Sequence, residues 1–226
     1  MGRRSLRKVS PELDWAPYLL KVEDLPRPWS RAAVFGSPVD ENGEIVAIDD
    51  ADVPLEVELG SGKGLFMQRA SGERPDHHFL GLEVSYKYAR YSASRLAKHE
   101  RTNARMVHGD GLAVFREILP DRSVTAIHVY FPDPWWKARH RRRRVLNESF
   151  LVDAQRTLIS GGLLHVWTDV EEYFESTLEL IRDTKLEGPL EVPERPAADD
   201  MDFRTHFERR TRLHDEPVYR AQFRNP

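Results

Sequence analysis

The 226-residue chain contains no cysteine, which excludes disulfides, thiolate nucleophiles and thiolate metal ligands. It has no apolar run long enough for a membrane-spanning helix, so no membrane association is expected. The basic start, Met1 to Lys8, is followed by no apolar stretch, and Leu6 breaks the myristoylation pattern; neither a secretory leader nor a lipid anchor is expected. The nine histidines show no zinc-site spacing with carboxylates, and no metal is expected. A large net charge is also missing, the formal value being −3. That would argue against a nucleic-acid partner only if charge were evenly spread. Instead, positive charge gathers at residues 3–8 and 137–144, while residues 40–52 and 171–179 are rich in acids.

The length and the proportions of 40% hydrophobic and 31% charged residues suit one soluble domain with appendages. Together with the missing cysteines they fit a reducing cytoplasm. Residues 1–53 carry five prolines, an Asn42-Gly43 turn signal and little periodicity, so they read as a partly irregular N-terminal extension with at most one hairpin. From residue 54 onward, short apolar runs alternate with helical periodicity, the pattern of successive βαβ units. Strands are predicted at Leu55 to Leu59, His78 to Leu82, Ala104 to His108, Thr125 to Tyr130, Gly162 to Trp167 and Val218 to Phe223. Helical spacing predicts common faces for Tyr86, Ala89, Ala93, Leu96 and Ala97, for Phe150, Leu151, Ala154 and Leu158, and for Tyr173, Phe174, Thr177, Leu178 and Ile181. Residues 187–204 read as a surface connection before the last strand.

The most specific local feature is Phe131-Pro132-Asp133-Pro134-Trp135-Trp136-Lys137, followed by Arg139, His140 and Arg141 to Arg144. Prolines donate no backbone hydrogen bond and push the preceding residue toward extended geometry, so Phe131 and Asp133 have little freedom. A carboxylate thus stands at the C-terminal end of a strand, where open α/β sheets place their ligands, next to a cationic run suited to a polyanion. The alternative is a stiff polar turn beside a solvated charge run. Trp135 and Trp136 either stack on an exposed base or pack into the core.

Val57 to Gly64 places a glycine-rich turn between a strand and a helix starting near Leu65. It is not a Walker A loop, and its third glycine comes one residue too early for a dinucleotide fingerprint, which disfavours a phosphate cradle. Further acids follow at strand ends: Glu58, Glu83 about twenty residues past the turn, and Asp110. Each has a structural alternative, Glu58 in holding amides of the turn, Glu83 and Asp110 in capping the next helix. Taken with Asp133 they suit a ligand with ribose hydroxyls, an adenine amino group and a cationic centre, and they offer no site for a pyrophosphate. S-adenosylmethionine has that chemistry.

In Glu58 to Gly64, Gly81-Leu82-Glu83-Val84, Phe131 to Trp135, Lys137, Arg139-His140, Thr168-Asp169 and Thr205-His206-Phe207-Glu208, the chain resembles the tRNA (guanine-N7-)-methyltransferase family over most of residues 55–210. The resemblance implies a Rossmann-like class I methyltransferase fold with a seven-stranded, mostly parallel sheet and an antiparallel last strand. It also implies an S-adenosylmethionine pocket lined by Glu58, Gly60, Gly62, Glu83, Asp110 and Asp133, with Asp133 at the catalytic centre. By the same resemblance Lys137, Asp169, Thr205, His206, Phe207 and Glu208 would meet the guanosine, and Arg139, His140, Arg141, Arg142, Arg143 and Arg144 the tRNA backbone. The target would be a variable-loop guanosine, and the protein a monomer or homodimer. The chain departs from the family pattern at Trp136, where a proline is expected, at Ala138, where a basic residue is expected, and after Glu208, where a glycine is expected. Asp169 has an alternative role as a cap for the helix from Val170, and Thr205 with Glu208 as a capping box. Two other functions compete: a noncatalytic RNA-binding module on a methyltransferase fold, and a small-molecule methyltransferase or nicotinamide dehydrogenase. Buried strand-end acids disfavour the first, and the arginine run and glycine spacing disfavour the second.

Overall fold

A computed structural model describes residues 6, 8–37, 42, 53–192, 205, 208, 214 and 216–226. Its centre is a sheet of β1 (Leu19–Lys21), β2 (Leu55–Leu59), β3 (His78–Glu83), β4 (Ala104–His108), β5 (Val124–Tyr130), β6 (Leu158–Thr168), β7 (Glu187–Leu190) and β8 (Tyr219–Arg224). The spatial order is β1-β4-β3-β2-β5-β6-β8-β7. Strands β1 to β6 pair in parallel, and β8 runs antiparallel to both β6 and β7. Helices α1 (Arg31–Phe35), α2 (Leu65–Glu73), α3 (Tyr86–Lys98), α4 (Gly111–Glu117), α5 (Glu148–Thr157) and α6 (Glu171–Arg182) complete the layers. No described helix is long and apolar enough to cross a membrane.

Strands β2 to β8 form the expected seven-stranded arrangement, with β8 inserted antiparallel between β6 and β7. The eighth, β1, comes from the segment expected to be irregular: Leu19 to Lys21 align with Met106 to His108 and extend the sheet beyond β4. Three residues carry too little pattern to announce a strand. In the same segment, Arg31 is buried and donates to the carbonyls of Val53 and Ser123, the latter at 2.8 Å, which ties α1 to the sheet. The hairpin anticipated at Asn42-Gly43 lies outside the described residues except for Asn42 itself. β7 occupies part of the stretch expected to be only a connection.

Alternation along β2 divides the core. Leu55, Val57 and Leu59 join a cluster with Leu80, Leu82, Ile127, Val129, Leu151 and Phe223. The other face packs Phe66, Met67, Phe79, Leu96, Met106, Tyr130 and Trp167. Each such buried side chain contributes about 1.5–3 kcal/mol relative to exposure. The helix faces follow their predicted spacing with two differences. Leu158 is buried but opens β6, because α5 stops at Thr157 and the chain passes straight into the strand. Tyr86 is 49% exposed, its ring edge-on to His108 at 5.3 Å.

The second face also carries a buried polar chain centred on Glu56, a neighbour of Glu58 on the same side of β2. The Glu56 carboxylate meets His128 Nε2 at 2.7 Å, His77 Nδ1 at 2.7 Å and an Arg74 nitrogen at 3.1 Å. His128 Nδ1 lies 2.9 Å from the Tyr130 hydroxyl, and its ring stacks on His165 at 4.6 Å. Burial pushes the Glu56 carboxyl up, but the bonds and charges of His128, Arg74 and His77 together hold it below the usual range. Glu56→Ala would strand these donors in the interior and is expected to cost on the order of 3–5 kcal/mol, measurable by urea denaturation. Sequence reasoning missed this chain, although an acid and a histidine inside apolar strands were its signal.

Candidate active site

Because β2 to β6 are parallel, their C-terminal ends share one edge, and the order reverses between β2 and β5, which opens a crevice there. The turn after β2 and the Pro132-Asp133-Pro134 loop after β5 flank that crevice. Gly60 and Gly62 have φ of +83° and +52°, a left-handed region that favours glycine. A side-chain carbon added at Gly60 would meet nothing within 4 Å, so the turn faces open space. The turn is fixed from below: Gly60 and Ser61 donate to the Leu82 carbonyl at 2.8 and 3.0 Å, and the buried Ser92 hydroxyl donates to the Gly62 carbonyl at 2.8 Å.

Glu83 accepts from the amides of Gly62 and Ser85, both at 2.8 Å. The Gly62 amide of the glycine turn is therefore engaged by a carboxylate. Burial raises the proton affinity of Glu83, and nearby Asp133 adds to the rise, opposed by the two amides. Glu58 is fully enclosed, and its Oε2 has no hydrogen-bond partner. Burial pushes its carboxyl up to about 8, with Glu83 adding to the effect and Ser61 opposing it. Two desolvated carboxyls, one with an orphaned oxygen, beside an exposed third form a crevice suited to a cation. The donor set fits the chemistry of S-adenosylmethionine: the Glu58 and Asp133 carboxyls would suit its cationic sulfur, and Glu83 would suit its ribose hydroxyls. Asp110 takes its structural alternative, capping α4 through Leu112 N at 3.0 Å, though its exposed carboxylate remains on the same edge.

The Asp133 loop is anchored at its start by Phe131 N, which donates to the Trp167 carbonyl at 2.7 Å. Phe131 is not extended as expected before a proline; its φ is +50°, as its buried ring joins the core while the chain turns out of β5. Such a backbone costs about 1–3 kcal/mol and marks a geometry imposed by its surroundings. Asp133 is exposed and makes no hydrogen bond or ion pair among the described residues. Asp169, half-buried at the end of β6, is likewise without a partner among them; Thr168 takes the local role, accepting from Val170 N at 3.2 Å.

Neither Trp135 nor Trp136 joins the core. Trp135, with φ of +46°, lies under Arg143 at 5.0 Å and edge-on to His140 at 5.8 Å. Trp136 is 66% exposed. The basic run is a 3-10 helix over Ala138–Arg143, in which Arg139 and Arg142 are exposed and unpaired among the described residues. Lys137 is exposed too, and Arg141 lies 3.3 Å from Glu172. Arg144 departs from expectation: it is buried and bound to Glu172, so its guanidinium is not presented to a phosphate.

Thr205 Oγ1 accepts from Glu208 N at 3.0 Å, one of the two bonds of a capping box. Glu208 is buried, 3.6 Å from Arg220, whose guanidinium lies 5.0 Å above the Trp167 ring. His206 and Phe207 lie outside the described residues.

A mostly parallel sheet with one inserted antiparallel strand, a glycine turn and carboxylates at the reversal point defines a Rossmann-like methyltransferase. The aminoglycoside resistance methyltransferase NpmB1 shares the fold, with a TM-score of 0.55, 18% identity, and coverage of 80% of this chain and 96% of that one. A 30S ribosomal A1408 methyltransferase from an uncultured bacterium does so with a TM-score of 0.51, 17% identity, and coverage of 81% and 97%. Residues 52–221 match a family model described as "Putative methyltransferase". A tRNA (guanine-N(7)-)-methyltransferase of Rhodopirellula baltica is 46% identical over 231 residues, covering 99% of this chain and 80% of that protein. One of the same name from Myxococcus xanthus is 33% identical over 173 residues, covering 76% and 84%. The chain belongs to the tRNA (guanine-N(7)-)-methyltransferase family.

Proposed function

We propose that this protein transfers a methyl group from S-adenosylmethionine to N7 of a guanosine in the variable loop of tRNA. The observation that carries this reading is the unpartnered Asp133 carboxylate, held in the crevice beside Glu58 and Glu83 and followed at once by an exposed tryptophan and a cationic helix. S-adenosylmethionine, when bound, supplies a methyl group on a cationic sulfur. Guanine N7 has an in-plane lone pair and no proton to lose, so the carbon–nitrogen bond forms as the carbon–sulfur bond breaks, with no base required. Positioning is then the main task of the protein. As positive charge arrives on the purine, Asp133 stabilises it, and Asp169 accepts from the Watson–Crick edge. Trp136 stacks on a base drawn out of the RNA, as modification of a stacked base requires. Lys137, Arg139, Arg141, Arg142 and Arg143 contact phosphates, with His140 backing Trp135. Glu58, Gly60, Gly62, Glu83 and Asp110 hold the cofactor, while Thr205, His206, Phe207 and Glu208 contact the guanosine.

Residues 54–226 form the methyltransferase domain, and residues 1–53 form an N-terminal extension to it. A tRNA substrate and the missing cysteines support a cytoplasmic setting. The test is transfer of labelled methyl to bulk tRNA lacking N7-methylguanosine, with free guanosine and ribosomal RNA as competing acceptors. Label in tRNA alone supports the reading; label in a small molecule without tRNA overturns it. Log affinity for tRNA should fall linearly with log salt, and Arg142→Gln should reduce that slope by about 0.7–0.9, one phosphate contact, as measured by filter binding.

A further inference from the structure

Arg144 closes the basic run but does not share its setting, since Arg139, Arg141, Arg142 and Arg143 are exposed and Arg144 is 7% exposed. Its guanidinium forks onto Glu172 at 2.7 and 3.3 Å, reaches Ser176 Oγ at 3.3 Å, and lies 4.5 Å above the Tyr173 ring. Its Nε donates to the Pro134 carbonyl at 2.9 Å. Pro132 and Pro134 have no N–H, so the loop around Asp133 has few bonds with which to fix itself. Among the described residues it is tethered by Phe131 N to Trp167 at one end and by Arg144 to Pro134 at the other. Glu172, Tyr173 and Ser176 all belong to the start of α6, the helix that follows Asp169.

We propose that Arg144 is a positioning residue that locks Asp133 relative to Asp169 by joining the Pro132-Asp133-Pro134 loop to α6. The two carboxylates stand after different strands, and this one side chain bonds directly to the residue following the first and to the helix following the second. The role needs a planar fork: Nε serves the loop while the terminal nitrogens serve the helix, a division a lysine ammonium cannot reproduce. It also accounts for a buried arginine within a solvated cationic helix, because its charge is balanced by Glu172 and not by a polyanion.

The inference rests on the proposed methyl transfer, so one readout is independent of activity. Amide hydrogen exchange by mass spectrometry is compared for the wild-type protein, Arg144→Lys, Glu172→Ala and Arg142→Gln, with thermal scans to confirm folding. Faster exchange confined to residues 130–137 and 169–176 is expected in Arg144→Lys and Glu172→Ala, and wild-type exchange there in Arg142→Gln. In steady-state transfer, kcat of Arg144→Lys should fall by up to about 100-fold, with the KM for tRNA and the salt slope unchanged. Glu172→Ala, which leaves every basic side chain in place, should reproduce the loss and keeps the test decisive if Arg144→Lys unfolds. Wild-type exchange in both segments, unchanged kcat, or a salt slope lowered as in Arg142→Gln would overturn the proposal. A wild-type protein that transfers no methyl to tRNA refutes the functional reading instead, while the exchange comparison still decides whether Arg144 holds the loop.

Discussion

Asp133→Ala lowers the single-turnover rate of methyl transfer by about 10²–10³-fold, the usual effect of removing one preorganised electrostatic partner of a developing charge. Asp133 is exposed, makes no hydrogen bond or ion pair among the described residues, and sits on a loop held by Phe131 and Arg144. It contributes little to folding, so its deletion should leave thermal stability within about 0.5 kcal/mol, the ordinary range for surface changes. It forms no ion pair with the cationic helix among the described residues, so affinity for tRNA should be unchanged. Asp133→Asn keeps the shape and one acceptor but loses the charge, and should fall between the wild-type protein and the alanine variant. Rapid-quench assays with enzyme in excess over tRNA separate this chemical defect from binding. A rate within threefold of wild type in both variants would remove Asp133 from the centre.

Glu58→Gln has the second large effect, with opposite consequences for stability and binding. The Glu58 carboxyl is pushed up to about 8 by burial. A carboxyl whose affinity for protons is raised on folding favours the folded state below the unfolded value of 4.5, and that advantage is lost as pH rises through about 8. The glutamine variant is neutral throughout and should unfold at a higher temperature than wild type at pH 8.5, with the difference vanishing near pH 5. Cofactor binding should move the other way. A cationic ligand favours the carboxylate, so wild-type affinity for S-adenosylmethionine should rise between pH 6 and pH 8 as binding releases less of the proton, then level off. Glu58→Gln should bind about 10- to 100-fold more weakly with a flat pH response, the loss expected for a hydrogen bond or ion pair to a charged group. Calorimetry in buffers of different ionisation enthalpy reads both the affinity and the proton. Equal affinity in the two proteins at pH 8 would separate Glu58 from the cofactor.

Much of this architecture was legible from local pattern. Val57 to Gly64 announces a strand, a turn and a helix through apolar alternation followed by glycines, and β2 and α2 fall there. The acids at 58, 83, 110 and 133 were recognisable as strand-end residues because each follows a β-rich run, and the parallel sheet brings those ends to one edge. What escaped is set by tertiary contact. β1 is three residues long and exists because β4 offers it an edge. Phe131 adopts a left-handed backbone against its local preference because its ring joins the core. Arg144 looks in sequence like any other member of the basic run, and only the arrival of α6, some 28 residues later, turns it inward. Glu56 and His128 are 72 residues apart, and their pairing follows from strand order alone.

The most direct test of the central claim, methyl transfer to guanine N7 in tRNA, uses two transcripts of one tRNA, one with guanosine and one with 7-deazaguanosine throughout. Both are incubated with labelled S-adenosylmethionine, and the product is mapped by strand cleavage specific for N7-methylguanosine. Label and cleavage are expected at a single variable-loop guanosine of the first transcript, with none in the second and similar affinity for both. Label in the deaza transcript equal to that in the guanosine transcript would mean that the methyl group goes to another atom and would contradict the central claim.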